Sequence, residues 1–133
     1  MNLIDNTPIA LTGINDSLLS EIAERLSEFA QTGQSASIDL RSLPMSDADR
    51  QDLETRLGHG EVEVKLDVAG LSEIWETSFA GVWWVRHFGG DNHITAEEIN
   101  IISVPDILHA HQNDARAAAS RLSKIIKEER HHG

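Results

Sequence analysis

The chain has 133 residues, with 11 Lys and Arg against 22 Asp and Glu for a formal net charge of −11, and it contains no cysteine. That length suits one domain whose core needs no staple, and the missing thiols exclude disulfides, zinc ribbons and cysteine-held iron–sulfur clusters. The acidic balance repels phosphate backbones and anionic lipid, so neither nucleic acid nor a membrane surface is an expected partner.

The first residues, Met1 to Pro8, lack a basic region followed by an apolar run, and no apolar stretch approaches membrane-spanning length; a cytoplasmic setting is expected. Pro8 to Gly13 reads as extended or coil. Asn15 and Asp16 then offer capping oxygens to a helix whose apolar residues Leu18, Leu19, Ile22, Ala23, Leu26 and Phe29 recur at helical spacing, ending near Gly33. Ser35 to Leu40 alternates apolar and polar residues as a strand does, and Pro44 stops it. Ser46, followed three residues later by Asp49, signals the start of a shorter helix with Leu53 and Leu57 on its inner face, closed by Gly58.

Glu61 to Val68 has the cleanest period of two in the chain, with Val62, Val64, Leu66 and Val68 on one face and Glu61, Glu63, Lys65 and Asp67 on a face expected to meet water. Ala69-Gly70 turns the chain into a second strand, in which Gly81 marks a bulge, a bend or a close backbone approach. Gly89-Gly90-Asp91-Asn92 is a hairpin signal pairing Val82–Phe88 with a strand from His93 to about Val104. Pro105 fits the first position of a final helix with an inward stripe of Ile107, Leu108, His111, Ala115, Ala118, Ala119, Leu122, Ile125 and Ile126. The sum is an α+β fold in a single domain over 1–133: a mostly antiparallel four- or five-stranded sheet with about three helices packed on one face. The face or edge left free is where a partner is expected.

All three tryptophans and two of the three phenylalanines lie between Ile74 and Phe88. Trp83 and Trp84 are adjacent, so in a strand their rings point to opposite faces. Either one ring stands on the uncovered face as an anchor for another protein, or both are covered by this chain's own helices and termini.

Catalytic and metal signals are weak. His109 and His111 are two apart, not the four apart that places two ligands on one helix face, so no metal site is expected. His59, between two glycines, and Glu76, in the aromatic strand, are the two candidate acid–base groups; Arg86 is the expected ion-pair partner of Glu76. His87 and His93 flank the hairpin turn, close enough to approach one another. No nucleophile elbow, phosphate loop or dinucleotide fingerprint is present, and neither an enzyme activity nor a cofactor is expected.

Three blocks occur in order: Leu57-Gly58-His59-Gly60-Glu61-Val62, then Glu73 through Val85, then Ile99-Asn100-Ile101 leading into Val104-Pro105. Together they resemble the C-terminal conserved region of the HupH/HyaF hydrogenase-expression proteins, most clearly over 53–108. The resemblance implies a non-catalytic, chaperone-like accessory protein in the maturation of an uptake NiFe hydrogenase, with the iron–sulfur small-subunit precursor as partner and other accessory proteins alongside. Glu76, Thr77, Phe79, Gly81, Val82 and Trp83 match the family pattern, which brings no catalytic set with it. The family's familiar members are longer, and this chain carries a single copy of the conserved region. The candidate partner-binding residues are Trp75, Glu76, Thr77, Phe79, Gly81, Trp83, Trp84 and Arg86. The alternatives are a small homodimeric binding module of other role, or a small enzyme using Glu76 or His59.

Overall fold

The computed structural model describes residues 10–67 and 69–132; Pro8, Ile9 and Val68 lie outside them. The chain forms two compact units, Met1–Ser103 and Val104–Gly133. The first holds α1 (Ile14–Thr32), β1 (Ala36–Asp39), α2 (Asp47–Leu57), β2 (Glu63–Asp67), β3 (Leu71–Glu76), β4 (Val82–Phe88) and β5 (Ile94–Ile101). The strands form one antiparallel sheet in the order β1-β5-β4-β3-β2. Strands β2 to β5 are a meander, and β1 closes its far edge against β5. The α+β class with a five-stranded antiparallel sheet is thus as expected.

The helices cover the sheet face that bears Trp75, Val82, Trp84, Ile99 and Ile101. Leu18 and Ile22 of α1, and Leu53 and Leu57 of α2, join these residues in one buried cluster. Burying such side chains is the main favourable term in folding. On α2 the expected capping box is present: the Ser46 hydroxyl accepts from the Asp49 amide at 3.0 Å, and the Asp49 carboxylate accepts from the Ser46 amide at 2.9 Å. On α1 the cap differs from the expectation. Gly13 holds the N-cap position with φ 90° and no side-chain cap. Asn15 instead lies in the first turn, buried, where its amide donates to the Asp49 carbonyl (2.8 Å) and to Asp52 (3.0 Å), tying α1 to α2. A short polar side chain there serves the neighbouring helix rather than its own.

Strand β2 is shorter than expected, Glu63–Asp67, and within those bounds alternates with Glu63, Lys65 and Asp67 exposed and Val64 and Leu66 half-buried, whereas Val62, expected on the inward face, precedes the strand and is exposed. The register pairs Val64 with Ile74 and Ile74 with Val85, so these three share the face opposite Trp75 and Trp84. On that face Ile74, Trp83 and Val85 are buried too. The hairpin turn after β4 forms as expected, with the Gly89 amide donating to the His93 carbonyl at 2.8 Å.

The second unit contains a 3-10 turn, Asp106–Leu108, and α3, Gln112–His132. Pro105 precedes the 3-10 turn rather than occupying the first position of α3, and His109 and His111 lie ahead of that helix. The stripe formed by Ala115, Ala118, Ala119, Leu122, Ile125 and Ile126 is continuous along α3, and its large members are exposed, Leu122 by 59%. No described helix is long and apolar enough to cross a membrane.

Candidate interaction site at the turn between the aromatic strands

The aromatic stretch is two strands, β3 and β4, joined by the turn Thr77–Gly81. Thr77, itself buried, organises the turn. Its amide donates to the Val82 carbonyl at 2.9 Å, and its hydroxyl accepts from the Phe79 amide at 3.1 Å. Gly81 has φ 87°, a conformation that disfavours any side chain, and a Cβ there would stand 3.2 Å from Leu26 Cδ1 of α1. Of the readings open for Gly81, the structure has a turn with a close approach. The loop after α2 lies against the same turn: the Ser78 amide donates to the Leu57 carbonyl (2.9 Å) and the Gly60 amide to the Glu76 carbonyl (2.7 Å). A Cβ on Gly60 would meet the Thr77 carbonyl oxygen at 2.7 Å.

The turn leaves one large apolar side chain in solvent. Phe79 is 50% exposed and forms one wall of an apolar groove of about 180 Å³, with Leu19, Ile22, Ala23 and Leu26 of α1, and Leu57 and Val82. Glu76 is half-buried and accepts from the Gly81 amide at 3.4 Å.

Neither of the adjacent tryptophans is the exposed anchor. They point to opposite faces, but Trp84 is fully buried and Trp83 is only 4% exposed. Trp84 belongs to a stack: His59 lies on Trp75 at 4.5 Å between ring centroids, Trp75 on Trp84 at 5.6 Å, both nearly parallel. The Arg86 guanidinium sits 5.0 Å from the Trp75 ring centroid and 5.8 Å from that of Trp84.

Arg86 does not pair with Glu76. The register places it opposite Glu73, on the helix-covered face, whereas Glu76 lies opposite Trp83 on the other face. Its partners are Glu97 Oε2 (2.7 Å), Glu54 Oε1 (2.7 Å) and Glu73 Oε1 (3.7 Å). Burial disfavours the guanidinium charge, but the hydrogen bonds and charges of Glu54 and Glu97 outweigh it and hold the Arg86 pKa above its ordinary value. Glu97, 1% exposed in its side chain, also accepts from Trp84 Nε1 at 2.9 Å. The partners Glu54 and Glu97 were not singled out from the sequence, although Glu97, Ile99 and Ile101 share one strand parity, and a charge at an inward position of that parity is the signal that finds it.

The two candidate acid–base groups are not brought together. His59 stacks on Trp75 and meets Glu54 Oε2 at 3.3 Å, while Glu76 is bonded within its own turn. His87 and His93 also find separate partners, Ser72 Oγ at 2.6 Å and Asp91 Oδ2 at 3.6 Å. Among the described residues no three His, Asp or Glu side chains are grouped to hold a metal ion.

The family description "HupH hydrogenase expression protein, C-terminal conserved region" matches residues 15–128. The chain belongs to this family. It is 31% identical over 107 residues to the hydrogenase expression/formation protein HoxQ of Azotobacter vinelandii, an alignment covering 80% of this chain and 38% of that protein. With the hydrogenase-1 operon protein HyaF of Escherichia coli strain K12 it shares 32% identity over 94 residues, 71% of this chain and 33% of that protein. The solved structure of the hydrogenase expression protein HupH from Thiobacillus denitrificans ATCC 25259 superposes with a TM-score of 0.86 at 36% identity, covering 90% of this chain and 99% of that one. The chain therefore spans well under half the length of the curated relatives it matches, and nearly all of the solved HupH chain.

Proposed function

We propose that this protein is a cytoplasmic, non-catalytic accessory factor in the maturation of an uptake NiFe hydrogenase, acting as a chaperone-like binder of the immature iron–sulfur small subunit. The observation that carries the reading is the groove beside Phe79, in a chain of the HupH family. An immature subunit exposes apolar segments that its finished fold buries, and a half-exposed aromatic ring beside an apolar groove is suited to hold one such segment. The turn that presents Phe79 is fixed by backbone hydrogen bonds and two glycine close approaches, so little ordering cost falls on binding. Of the candidates, Phe79 forms the contact, Thr77 and Gly81 hold the turn that presents it, and Trp75 and Trp84 share the buried cluster with the groove residues Leu57 and Val82; Trp83 and Glu76 lie on the opposite sheet face, and Arg86 is engaged with Glu54 and Glu97. A protein without cysteine also has no thiol to compete for cluster ligands or to form mixed disulfides with them.

Co-expression of this protein with a tagged small-subunit precursor, and separately with the assembled hydrogenase, tests the reading. Co-purification with the precursor and not with the assembled enzyme is expected. Equal recovery with both, or with neither, contradicts it.

A further inference from the structure

The helix α3, Gln112–His132, carries an apolar stripe at Ala115, Ala118, Leu122 and Ile125, widened by Ala119 and Ile126, and Leu122, Ile125 and Ile126 are all exposed. Helices in folded proteins draw most of their stability from packing such a face, and this one keeps its large apolar side chains in water. The stripe shares no residue with the groove beside Phe79. Its steps of three, four and three residues form the seam of a coiled coil, which keeps one side turned to a partner helix over successive turns. The charges beside the seam select the partner. Arg121 and Glu128 are seven residues apart, so they stand on the same flank of the stripe. When two α3 helices run antiparallel about a two-fold axis level with Ser123 and Lys124, Leu122 meets Ile125 of the second copy, Ile126 lies over its Ala119, and Arg121 faces its Glu128; the symmetry makes each contact twice. Sliding the pair by one heptad toward the alanines sets Arg121 against Arg121 and Asp114 against Glu128. Parallel pairing sets Arg121 against Ile126 and Asp114 against Ala119, with no opposite charges. One register therefore joins the large apolar residues and the opposite charges together. Within α3 five Lys and Arg stand against three Asp and Glu, so the acidic excess of the chain lies outside the contact. From this charge complementarity along an unpartnered stripe, we infer that α3 pairs antiparallel with the α3 of a second copy of this chain, through Leu122, Ile125 and Ile126, with Arg121 and Glu128 fixing the register.

Sedimentation equilibrium of the intact protein over a concentration series measures the pairing, with circular dichroism and the fluorescence of the buried tryptophans showing that each variant is folded. The wild type is expected to pass from one chain to two as concentration rises. Leu122→Asp, at an exposed position, is expected to remain a single chain throughout. Arg121→Glu puts two pairs of like charges in place of two ion pairs and is expected to weaken association about tenfold. Combining Arg121→Glu with Glu128→Arg recreates opposite charges in the same register and is expected to restore the wild-type association. A wild type that stays a single chain at every concentration, as when α3 is covered within its own chain or by a different protein, overturns the inference. A dimer untouched by Leu122→Asp uses another surface and overturns it too, as does a doubly reversed variant that associates no better than Arg121→Glu alone.

Discussion

Arg86 keeps its charge in a half-buried position because Glu54 and Glu97 each accept from it at 2.7 Å while two indole rings flank its guanidinium. Removing one side of such a pair strands the other. Arg86→Met is therefore expected to destabilise the protein by about 3 kcal/mol in denaturant titration, and Glu97→Gln by less, since Trp84 keeps an acceptor. The double substitution should cost less than the two singles added, the sign of direct coupling. Asp49 carries the clearest pH signature. Burial pushes its carboxyl upward, but hydrogen bonds from the Thr12 hydroxyl and from the Ser46 and Thr12 amides prevail and hold the pKa at about 2, below the ordinary 3.8. A depressed carboxyl stabilises the fold above its unfolded pKa, so that contribution is complete above about pH 4 and is lost as pH falls toward 2. Asp49→Asn should flatten the stability profile across that window, and an unchanged profile would contradict the assignment.

At the scale of elements, α2 and the Thr77–Gly81 turn hold the groove beside Phe79, the proposed binding surface, in place. Ser46→Ala removes the capping oxygen of α2 and should cost about 1 kcal/mol in thermal or denaturant unfolding. Gly81→Ala combines a strained φ of 87° with a Cβ 3.2 Å from Leu26, and should cost about 1 kcal/mol or more. These elements were readable in advance because each carries a local signal: the Ser46/Asp49 box, the Gly89–Asn92 hairpin, the alternation in β2. Long-range pairing was less readable. Nothing local says that Arg86 faces Glu97 and Glu54 rather than Glu76; that follows only from the β3–β4 and β4–β5 registers, with a turn at Gly81 in place of a continuous strand. The burial of Trp83 and Trp84 on opposite faces was equally out of reach, since adjacency fixes direction and not what lies above each ring. Phe79 is a candidate on sequence grounds, but its standing as the exposed member depends on the turn that carries it beyond the end of β3.

For the molecule as a whole, an acidic chain of the HupH family presents a half-exposed phenylalanine over an apolar groove, held by a rigid turn between buried aromatic strands. The central claim is that this groove binds an immature hydrogenase small subunit. Isothermal titration of the purified small-subunit precursor into the wild-type protein and into Phe79→Asp tests it most directly, with circular dichroism to show that the variant is folded. The account predicts measurable binding by the wild type and a loss of at least about 2 kcal/mol, roughly thirtyfold, in the variant. Equal affinity in the two proteins, or no binding by the wild type, would contradict it.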